Sequence, residues 1–345
     1  MKLATVFGSS SFEHEISIVS AISLKEVLTK VDLIYIFIDK NREFYLIDTK
    51  EIKSSLFSSG EYKKSPKLEL KQGGFYQKKL FGDSKVDIDT VLNLVHGCDG
   101  EDGKLASLFE FYNINYIGPR LEASSMSYNK LYTKLYARSL GVNIVDYQVL
   151  NINDKRDLDF EFPIIVKPLR LGSSIGVSIV KESSELDYAL DVAFEFDSDI
   201  LIEPFLEDLR EFNLAGYMAD KFIFSKVEEP TKTKEFLDFD KKYLDFARVK
   251  ADLGEIDENL TFDLKTEFAK IYNNTFNGSL IRCDFFYYEN RIYLNEINPI
   301  PGSMANYLFD DFEENLLNLI KHLPTSKEVE IDYKYINSIQ NAKGK

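Results

Sequence analysis

The stretch that most limits the fold is Ile281-Arg282-Cys283-Asp284-Phe285-Phe286-Tyr287-Tyr288-Glu289-Asn290-Arg291-Ile292-Tyr293-Leu294-Asn295-Glu296-Ile297-Asn298-Pro299. Two runs rich in aromatic and branched residues flank a polar turn, the pattern of a β-hairpin. With Glu289-Asn290-Arg291 as the loop, Tyr288 faces Ile292, Phe286 faces Leu294, Asp284 faces Glu296 and Arg282 faces Asn298. Strand side chains alternate with period two, so these pairs share one face. Opposed carboxylates destabilise a sheet unless something neutralises them. Asp284, Glu296 and Asn298 together offer hard oxygen donors suited to magnesium held with phosphates. A solvent-facing strand with scattered charge is the plainer alternative, and the apolar neighbours on both strands argue against it.

Three loops follow strands, two of them rich in glycine and the third beginning just after Gly8. In Val166-Lys167-Pro168-Leu169-Arg170-Leu171-Gly172-Ser173-Ser174-Ile175-Gly176-Val177, backbone amides can fold over phosphate. Lys167 closes an apolar strand, where a buried cation needs an anionic partner. An ordinary hairpin turn fits this loop equally well. In Asn93-Leu94-Val95-His96-Gly97-Cys98-Asp99-Gly100-Glu101-Asp102-Gly103, a strand end meets a helix start. Ligands sit at such ends in parallel sheets, and acids also favour a helix start with no ligand at all. Ser9-Ser10-Ser11-Phe12-Glu13-His14-Glu15-Ile16-Ser17 lies in a similar place. There His14 fits a ligand or base, and more often a polar cap.

The rest of the chain sets the frame. Its 345 residues, 44% hydrophobic and 29% charged, suit two or three globular domains. A net charge of -15 disfavours non-specific nucleic-acid binding while leaving room for a local cationic cluster around an anionic substrate. Two scattered cysteines, Cys98 and Cys283, make neither a disulfide framework nor a zinc site, and they fit a reducing compartment. No run approaches a membrane span and the N-terminal apolar run is too short for a signal peptide, so the expectation is a cytoplasmic protein with no membrane or nucleic-acid partner. Apolar runs at 3–7, 31–38 and 91–95, with helical periodicity at 16–28 and 104–112, predict strand–helix–strand units of a parallel sheet. Residues 40–90 read as short strands and loops, 120–140 as helix and 162–181 as strand–turn–strand. Residues 184–196 read as helix, 201–203 as a strand, 211–218 and 222–227 as strands, and 261–276 as helix. Gly118-Pro119 and Pro204 are candidate boundaries.

In this order, the four segments resemble the D-alanine–D-alanine ligases of the ATP-grasp group. Glu13-His14-Glu15-Ile16-Ser17 looks like the family's N-terminal substrate motif, and His96-Gly97 through Gly103 like its second signature. Lys167-Pro168 with Gly172–Gly176 looks like its phosphate-grasping loop, and Arg282–Asp284 with Asn295–Asn298 and Pro301-Gly302 like its catalytic and metal motif. The resemblance implies an α/β protein of three domains. These are an N-terminal doubly wound parallel sheet over 1–118, a central ATP-grasp part over 119–203, and a C-terminal part over 204–345 with a mobile lid near 229–250. It implies ATP and two magnesium or manganese ions as cofactors and D-alanine as substrate, in peptidoglycan precursor synthesis, by a homodimer. Lys130 and Lys167 would contact the phosphates, Ser174 would help the loop close, Asn295 would belong to the ATP site, and Glu203 and Glu211 would hold the adenine and ribose. Asp284, Glu296 and Asn298 would hold metal. Glu13 would bind the first ammonium and bridge through Ser173 to Tyr243, which with Lys242 belongs to the lid. Arg282 and the Gly302 N–H would stabilise the oxyanion; His96, Tyr307 and Leu308 would line the substrate sites.

Two positions depart from the family's habit: Pro204 stands where many relatives carry lysine, and Tyr307 where a serine often holds the second carboxylate. The metal hairpin is also one residue shorter than in many relatives. Rival readings are a D-alanine–D-lactate ligase, disfavoured by Tyr243, another ATP-grasp carboxylate–amine ligase, disfavoured by the Glu13 motif, and a non-catalytic nucleotide binder, disfavoured by the full set of metal ligands and Arg282. The metal assignment predicts that Asp284→Asn or Glu296→Gln abolishes turnover while circular dichroism shows the fold largely intact; turnover retained in both variants rejects it.

Overall fold

Short apolar runs that end at glycine or asparagine become the parallel centre of the first sheet. The computed structural model describes residues 1–230, 256–325, 327 and 329–342, so Lys242 and Tyr243 lie outside the described residues. Strand β1 (Lys2–Gly8) pairs in parallel with β2 (Asp32–Ile38) and with β7 (Thr90–Asn93), and β7 with β8 (Tyr116–Ile117). Leu3 to Gly8 are all buried, as a strand covered on both faces requires. Helices α1 (His14–Val27) and α3 (Lys104–Phe111) follow β1 and β7. The polar stretch after β2 extends this sheet with an antiparallel meander: β3 (Phe44–Ile47), β4 (Lys67–Lys71), β5 (Gly74–Lys79) and β6 (Gly82–Lys85), with α2 (Ser54–Ser58) between β3 and β4. The order is β6-β5-β4-β3-β2-β1-β7-β8.

Residues 120–140, expected as one helix, form two: α4 (Leu121–Tyr128) and α5 (Lys130–Ser139). Asn129 makes the break. Its backbone is extended (φ -98, ψ 114), and its side chain accepts hydrogen bonds from the Leu131 and Tyr132 N–H groups, so it caps α5. Next come β9 (Asn143–Ile144) and β10 (Gln148–Asn151). A second, antiparallel sheet runs β10-β13-β11-β12, with β11 (Ile164–Pro168), β12 (Ser178–Val180) and β13 (Asp199–Pro204). Ala189, Leu190 and Ala193 of α6 (Leu186–Phe194) seal one face of it.

The third sheet runs β15-β14-β16-β17-β9, with β14 (Arg210–Met218), β15 (Phe222–Glu228), β16 (Ile281–Tyr288) and β17 (Arg291–Asn298). Helix α7 (Glu258–Tyr272) packs Leu264, Phe268 and Tyr272 into its core. Beyond a 3-10 turn (Gly302–Leu308) lie α8 (Phe312–Lys321) and α9 (Ile336–Ala342). One apolar core runs from Leu24 and Phe37 of the first sheet layer to Met304, Leu308 and Phe285 of the third. That continuity seats α1 against the 3-10 turn. Among the described residues no helix is long and apolar enough to cross a membrane.

The β16–β17 hairpin corrects part of the expected register. Asp284 does face Glu296 and Arg282 does face Asn298, but Phe285 faces Leu294, Tyr287 faces Ile292 and Tyr288 faces Arg291. The turn is Glu289-Asn290 alone, both left-handed (φ 49 and 59), which suits the twist of a two-residue hairpin. A bulge at Asn295 absorbs the difference, since the register shifts between Asp284 and Phe285. The expected three-residue loop was one residue too long, and the bulge restores the pairing of the acids.

Candidate active site

The third sheet assembles a row of polar groups. Glu296 faces Asp284, Asp284 faces Asn213 on the other side, and Asn213 faces Glu228. Partners across strands project to one face, so three carboxylates and an amide line up over four strands. Arg282 forks onto Asp284, Nε to Oδ1 at 2.7 Å and Nη2 to Oδ2 at 2.8 Å. Asn298 Nδ2 donates to Asp284 Oδ2 at 3.0 Å, and Asn213 Nδ2 to Glu228 Oε2 at 2.9 Å. Burial pushes the Asp284 carboxyl above its ordinary range; Arg282 pulls it back and Glu296 adds to the push. Burial also works against the Arg282 charge, but Asp284 outweighs it and the guanidinium is held protonated.

The second sheet contributes the cations. Lys167 ends β11 and meets Glu203 Oε2 of the neighbouring β13 at 2.6 Å; it also donates to Asn295 Oδ1 at 3.4 Å. That second contact exists because the bulge re-aims Asn295. The other Glu203 oxygen pairs with Lys134, which is only 2% exposed and also donates to the Val145 carbonyl at 3.0 Å. Burial raises the Glu203 carboxyl, but the two ammonium groups outweigh it and the net shift is downward. Lys130 opens α5 beyond the Asn129 cap, and its Nζ donates to the Leu171 carbonyl of the glycine loop. Burial lowers the Lys130 ammonium, with Glu296 opposing that shift.

Glu13 approaches from the first sheet. Its Oε1 accepts a hydrogen bond from Ser173 Oγ. Its Oε2 is buried with no hydrogen-bond partner among the described residues. The space is made by two glycines: a Cβ on Gly97 would lie 2.6 Å from Oε2, and one on Gly172 would lie 3.0 Å from Oε1. Burial, reinforced by the charge of Glu101, pushes Glu13 up to about 7, and burial pushes Glu101 up to about 8. His96 is buried, which lowers its imidazole; Nδ1 lies 3.6 Å from Glu101 Oε1 and Nε2 lies 2.9 Å from Ser20 Oγ.

Glu101, Lys130, Leu171, Gly172, Asn295, Glu296 and Asn298 line one cleft between the sheets. Beside it a larger cavity of about 840 Å³ opens over Ser9–Phe12, Arg170 and Phe196, sharing Tyr128 and Leu171 with the cleft. The larger space is not where the opposed acids lie. Of the remaining expected residues, Ser174 is half-buried in the loop with a left-handed backbone (φ 59). Glu211 is exposed on β14 opposite Phe286. Gly302 has open space where a Cβ would project. Tyr307 donates to Glu228 Oε2 at 2.8 Å. The Leu308 side chain is fully buried in the core, so only its backbone can meet a ligand. Cys98, Asp99 and Asp102 also cluster closely enough for a metal, but Arg42 sits on Asp99 at 2.8 Å and Lys104 on Asp102.

Sequence reasoning missed Lys134, Asn213, Glu228 and Ser20. Lys134 carried a signal, standing four residues after Lys130 and so on the same helical face. Glu228 and Asn213 emerge only from pairing across strands distant in sequence.

The sheets and the cleft between them define an ATP-grasp architecture. Residues 2–119 match the family described as D-ala D-ala ligase N-terminus, and residues 136–314 match D-ala D-ala ligase C-terminus. The chain belongs to the D-Ala–D-Ala ligase family. It is 60% identical to a D-alanine–D-alanine ligase of Sulfurovum sp. (strain NBC37-1) over the full length of both chains. The crystal structure of the D-alanine–D-alanine ligase from Helicobacter pylori matches with a TM-score of 0.85 at 48% identity, covering 95% of this chain and 100% of that one. A D-Ala:D-Ser ligase from Enterococcus faecalis matches with a TM-score of 0.76 at 25% identity, covering 93% of this chain and 98% of that one.

The Lys134–Glu203–Lys167 trio makes a measurable prediction. Glu203→Gln leaves the buried Lys134 and the half-buried Lys167 ammonium without their counter-ion, and breaking a buried pair in this way costs about 3–5 kcal/mol. Urea denaturation is expected to show that loss, whereas Glu211→Gln, at an exposed site, is expected to stay near wild type.

Proposed function

We propose that this chain joins two D-alanine molecules into D-alanyl-D-alanine with ATP, through a D-alanyl phosphate, for peptidoglycan precursors. The observation that carries the reading is that Glu13, whose buried Oε2 has no hydrogen-bond partner among the described residues, packs against Gly172 at the edge of the Lys130–Asn295–Glu296 cleft, with Lys167 bonded to Asn295. An ammonium beside Glu13 Oε2 supplies the positive partner that a buried carboxylate needs. Glu13 then orients the first D-alanine, with its carboxylate toward the cleft. That carboxylate is a poor electrophile because its leaving group would be oxide. Phosphorylation by ATP supplies a better one, and phosphoryl transfer depends mostly on positioning and charge neutralisation. Lys130 and Lys167 serve that neutralisation, and Ser174 with the loop amides cradles the phosphates.

Asp284, Glu296 and Asn298 fit two magnesium or manganese ions. Their oxygens are hard donors, and the two acids are forced together at a buried site where a cation relieves the repulsion. When bound, the metals would neutralise phosphate charge. The second D-alanine attacks the acyl phosphate as a neutral amine. Arg282 and the Gly302 N–H face the developing oxyanion, with Arg282 held in place by Asp284. Because the Tyr307 hydroxyl is bonded to Glu228, backbone groups around Tyr307 and Leu308 are the better candidates for the second carboxylate. On the adenine side Pro204 has no N–H, and the Phe205 N–H is bonded to the Pro163 carbonyl at 3.0 Å. Glu211 stays assigned to ribose and the Glu203 segment to adenine. Lid closure by Lys242 and Tyr243, a cytoplasmic location, a homodimer and the 1–118, 119–203 and 204–345 domain division belong to the same reading.

Phosphate release from ATP and magnesium, with D-alanine, L-alanine or D-alanine plus D-serine or D-lactate, followed by mass analysis of product, tests the proposal. D-alanyl-D-alanine from the D-isomer alone is the expected result; an excess of a mixed dipeptide or depsipeptide moves the second substrate, and no turnover by folded, ATP-binding protein rejects the reading. The pH dependence is a further prediction. Glu13 must be ionised to pair with an ammonium, and its carboxyl titrates at about 7. The KM for the first D-alanine therefore rises as pH falls below 7, by up to about tenfold per unit, and Glu13→Gln is expected to show a high KM with this dependence gone.

A further inference from the structure

The turn after Pro301 has an unusual backbone. Ser303, Met304 and Ala305 have φ of 47, 56 and 49, three successive left-handed residues without a glycine among them. For residues with a Cβ this conformation is disfavoured and persists only where its surroundings over-determine it. Locally, the Met304 N–H donates to the Pro301 carbonyl at 2.7 Å, and Asn306 Nδ2 donates to the Ser303 carbonyl at 2.9 Å. Met304 and Ala305 are buried. The remaining ties come from α1, where Ser17, Ser20 and Ser23 recur every third residue and so share a face. Ser17 is occupied elsewhere, accepting from the Gly8 N–H at 2.8 Å and donating to the Leu94 carbonyl at 2.6 Å. Ser20 Oγ accepts from the Ser303 N–H at 3.0 Å, and Ser23 Oγ lies 2.8 Å from Ser303 Oγ.

Ser20 Oγ is also 2.9 Å from His96 Nε2. A serine hydroxyl has one proton and two lone pairs. With one lone pair taken by the Ser303 N–H, the hydroxyl still has a proton to donate to His96 Nε2 and a lone pair to accept from it, so the link holds for either imidazole tautomer. The other ring nitrogen, Nδ1, lies 3.6 Å from Glu101 Oε1, and the imidazole also bonds to the backbone of Ile300, just before the turn. One buried hydroxyl thus joins three segments distant in sequence: α1 behind Glu13, the loop after β7, and the turn after β17.

We propose that Ser20 is a positioning residue for the second substrate, holding the left-handed Gly302–Leu308 turn in register with His96. The inference rests on the assignment of Gly302 to the oxyanion and of Tyr307 and Leu308 to the second D-alanine. Ser20 touches neither substrate. It acts through the Ser303 N–H, so its loss lets the turn relax away from the first-substrate site while Glu13, Lys130 and the metal-binding acids keep their places.

Two measurements test it. Nitrogen-15 spectra of the whole protein, which has only three histidines, report which His96 nitrogen carries the proton, with His96→Gln giving the assignment. The Nε2 resonance is expected to shift in Ser20→Ala whichever nitrogen carries the proton, and an Nε2 signal unchanged by that substitution overturns the hydrogen-bond chain. Kinetics separate the two substrates: in Ser20→Ala the KM for the second D-alanine is expected to rise about tenfold or more and kcat to fall, with the first KM within about twofold of wild type, since small displacements near reacting atoms cost up to about a hundredfold. Equal changes in both KM values, or no change, overturn the positioning role while dipeptide synthesis by the wild type keeps the functional reading intact. Absence of dipeptide synthesis by the wild type overturns both.

Discussion

A carboxylate taken out of water must find a positive partner or give up its charge, and the cleft is organised by how each of its acids meets that demand. Glu203 keeps its charge because Lys134 and Lys167 hold one oxygen each. Asp284 has the Arg282 fork, yet it stands opposite Glu296, so the fork is not enough to return it to its ordinary range. Among the described residues Glu13 and Glu101 make no ion pair with a lysine or arginine, and burial drives them up to about 7 and about 8 against the more distant pull of Lys130. The acids that the protein satisfies from within are on the second sheet. Those it leaves wanting a cation lie where an ammonium or a divalent metal fits the proposed reaction.

Backbone irregularities deliver these groups to one place. The Asn129 cap ends one helix and starts another, which puts Lys130 at a helix start, with its N–H bonded to the Leu169 carbonyl. The bulge at Asn295 turns one amide toward Lys167 without disturbing the pairing of Asp284 with Glu296. Ser173 and Ser174, both left-handed, bend the glycine loop so that Ser173 reaches Glu13. Regular strands supply the row of acids; departures from regularity bring the row, the lysines and Glu13 together. Strained conformations gathered around one cleft are a common mark of a functional site.

Much of this was legible from the chain. Period-two alternation identified the hairpin and the acid pair, because those depend on local spacing. The phenylalanine and tyrosine pairings went astray because two compensating features, a shorter turn and a bulge, leave the far end of the hairpin unchanged. The break at Asn129 was hidden by an unbroken helical composition on either side; asparagine's capping preference was the available signal, and it gives no warning when a second helix follows at once. Lys134 looks like any surface lysine until β13 brings Glu203 against it. Glu228, Asn213 and Ser20 act through partners from distant segments, and no spacing rule reaches that far. The family resemblance filled in roles that spacing could not, and it was silent on Ser20 and Lys134.

The acidic character of the chain sharpens the point about local charge. A net charge of -15 sets a field that opposes the approach of a polyphosphate. Lys130 lines the cleft, and each of Lys130, Lys134, Lys167 and Arg282 is already engaged: Lys130 with a carbonyl, Lys134 and Lys167 with Glu203, Arg282 with Asp284. The cations therefore serve first to make a charged interior tolerable, and their remaining donors are what a phosphate can use. A site built this way has little surplus positive charge of its own. In the proposed reaction the opposed acids of β16 and β17 would make up the difference in an indirect way, by offering a place where divalent cations would be stabilised. On the proposed reading the carboxylates facing the cleft would be as much a part of anion binding as the lysines, because the repulsion between Asp284 and Glu296 is what a metal arriving with phosphate would relieve.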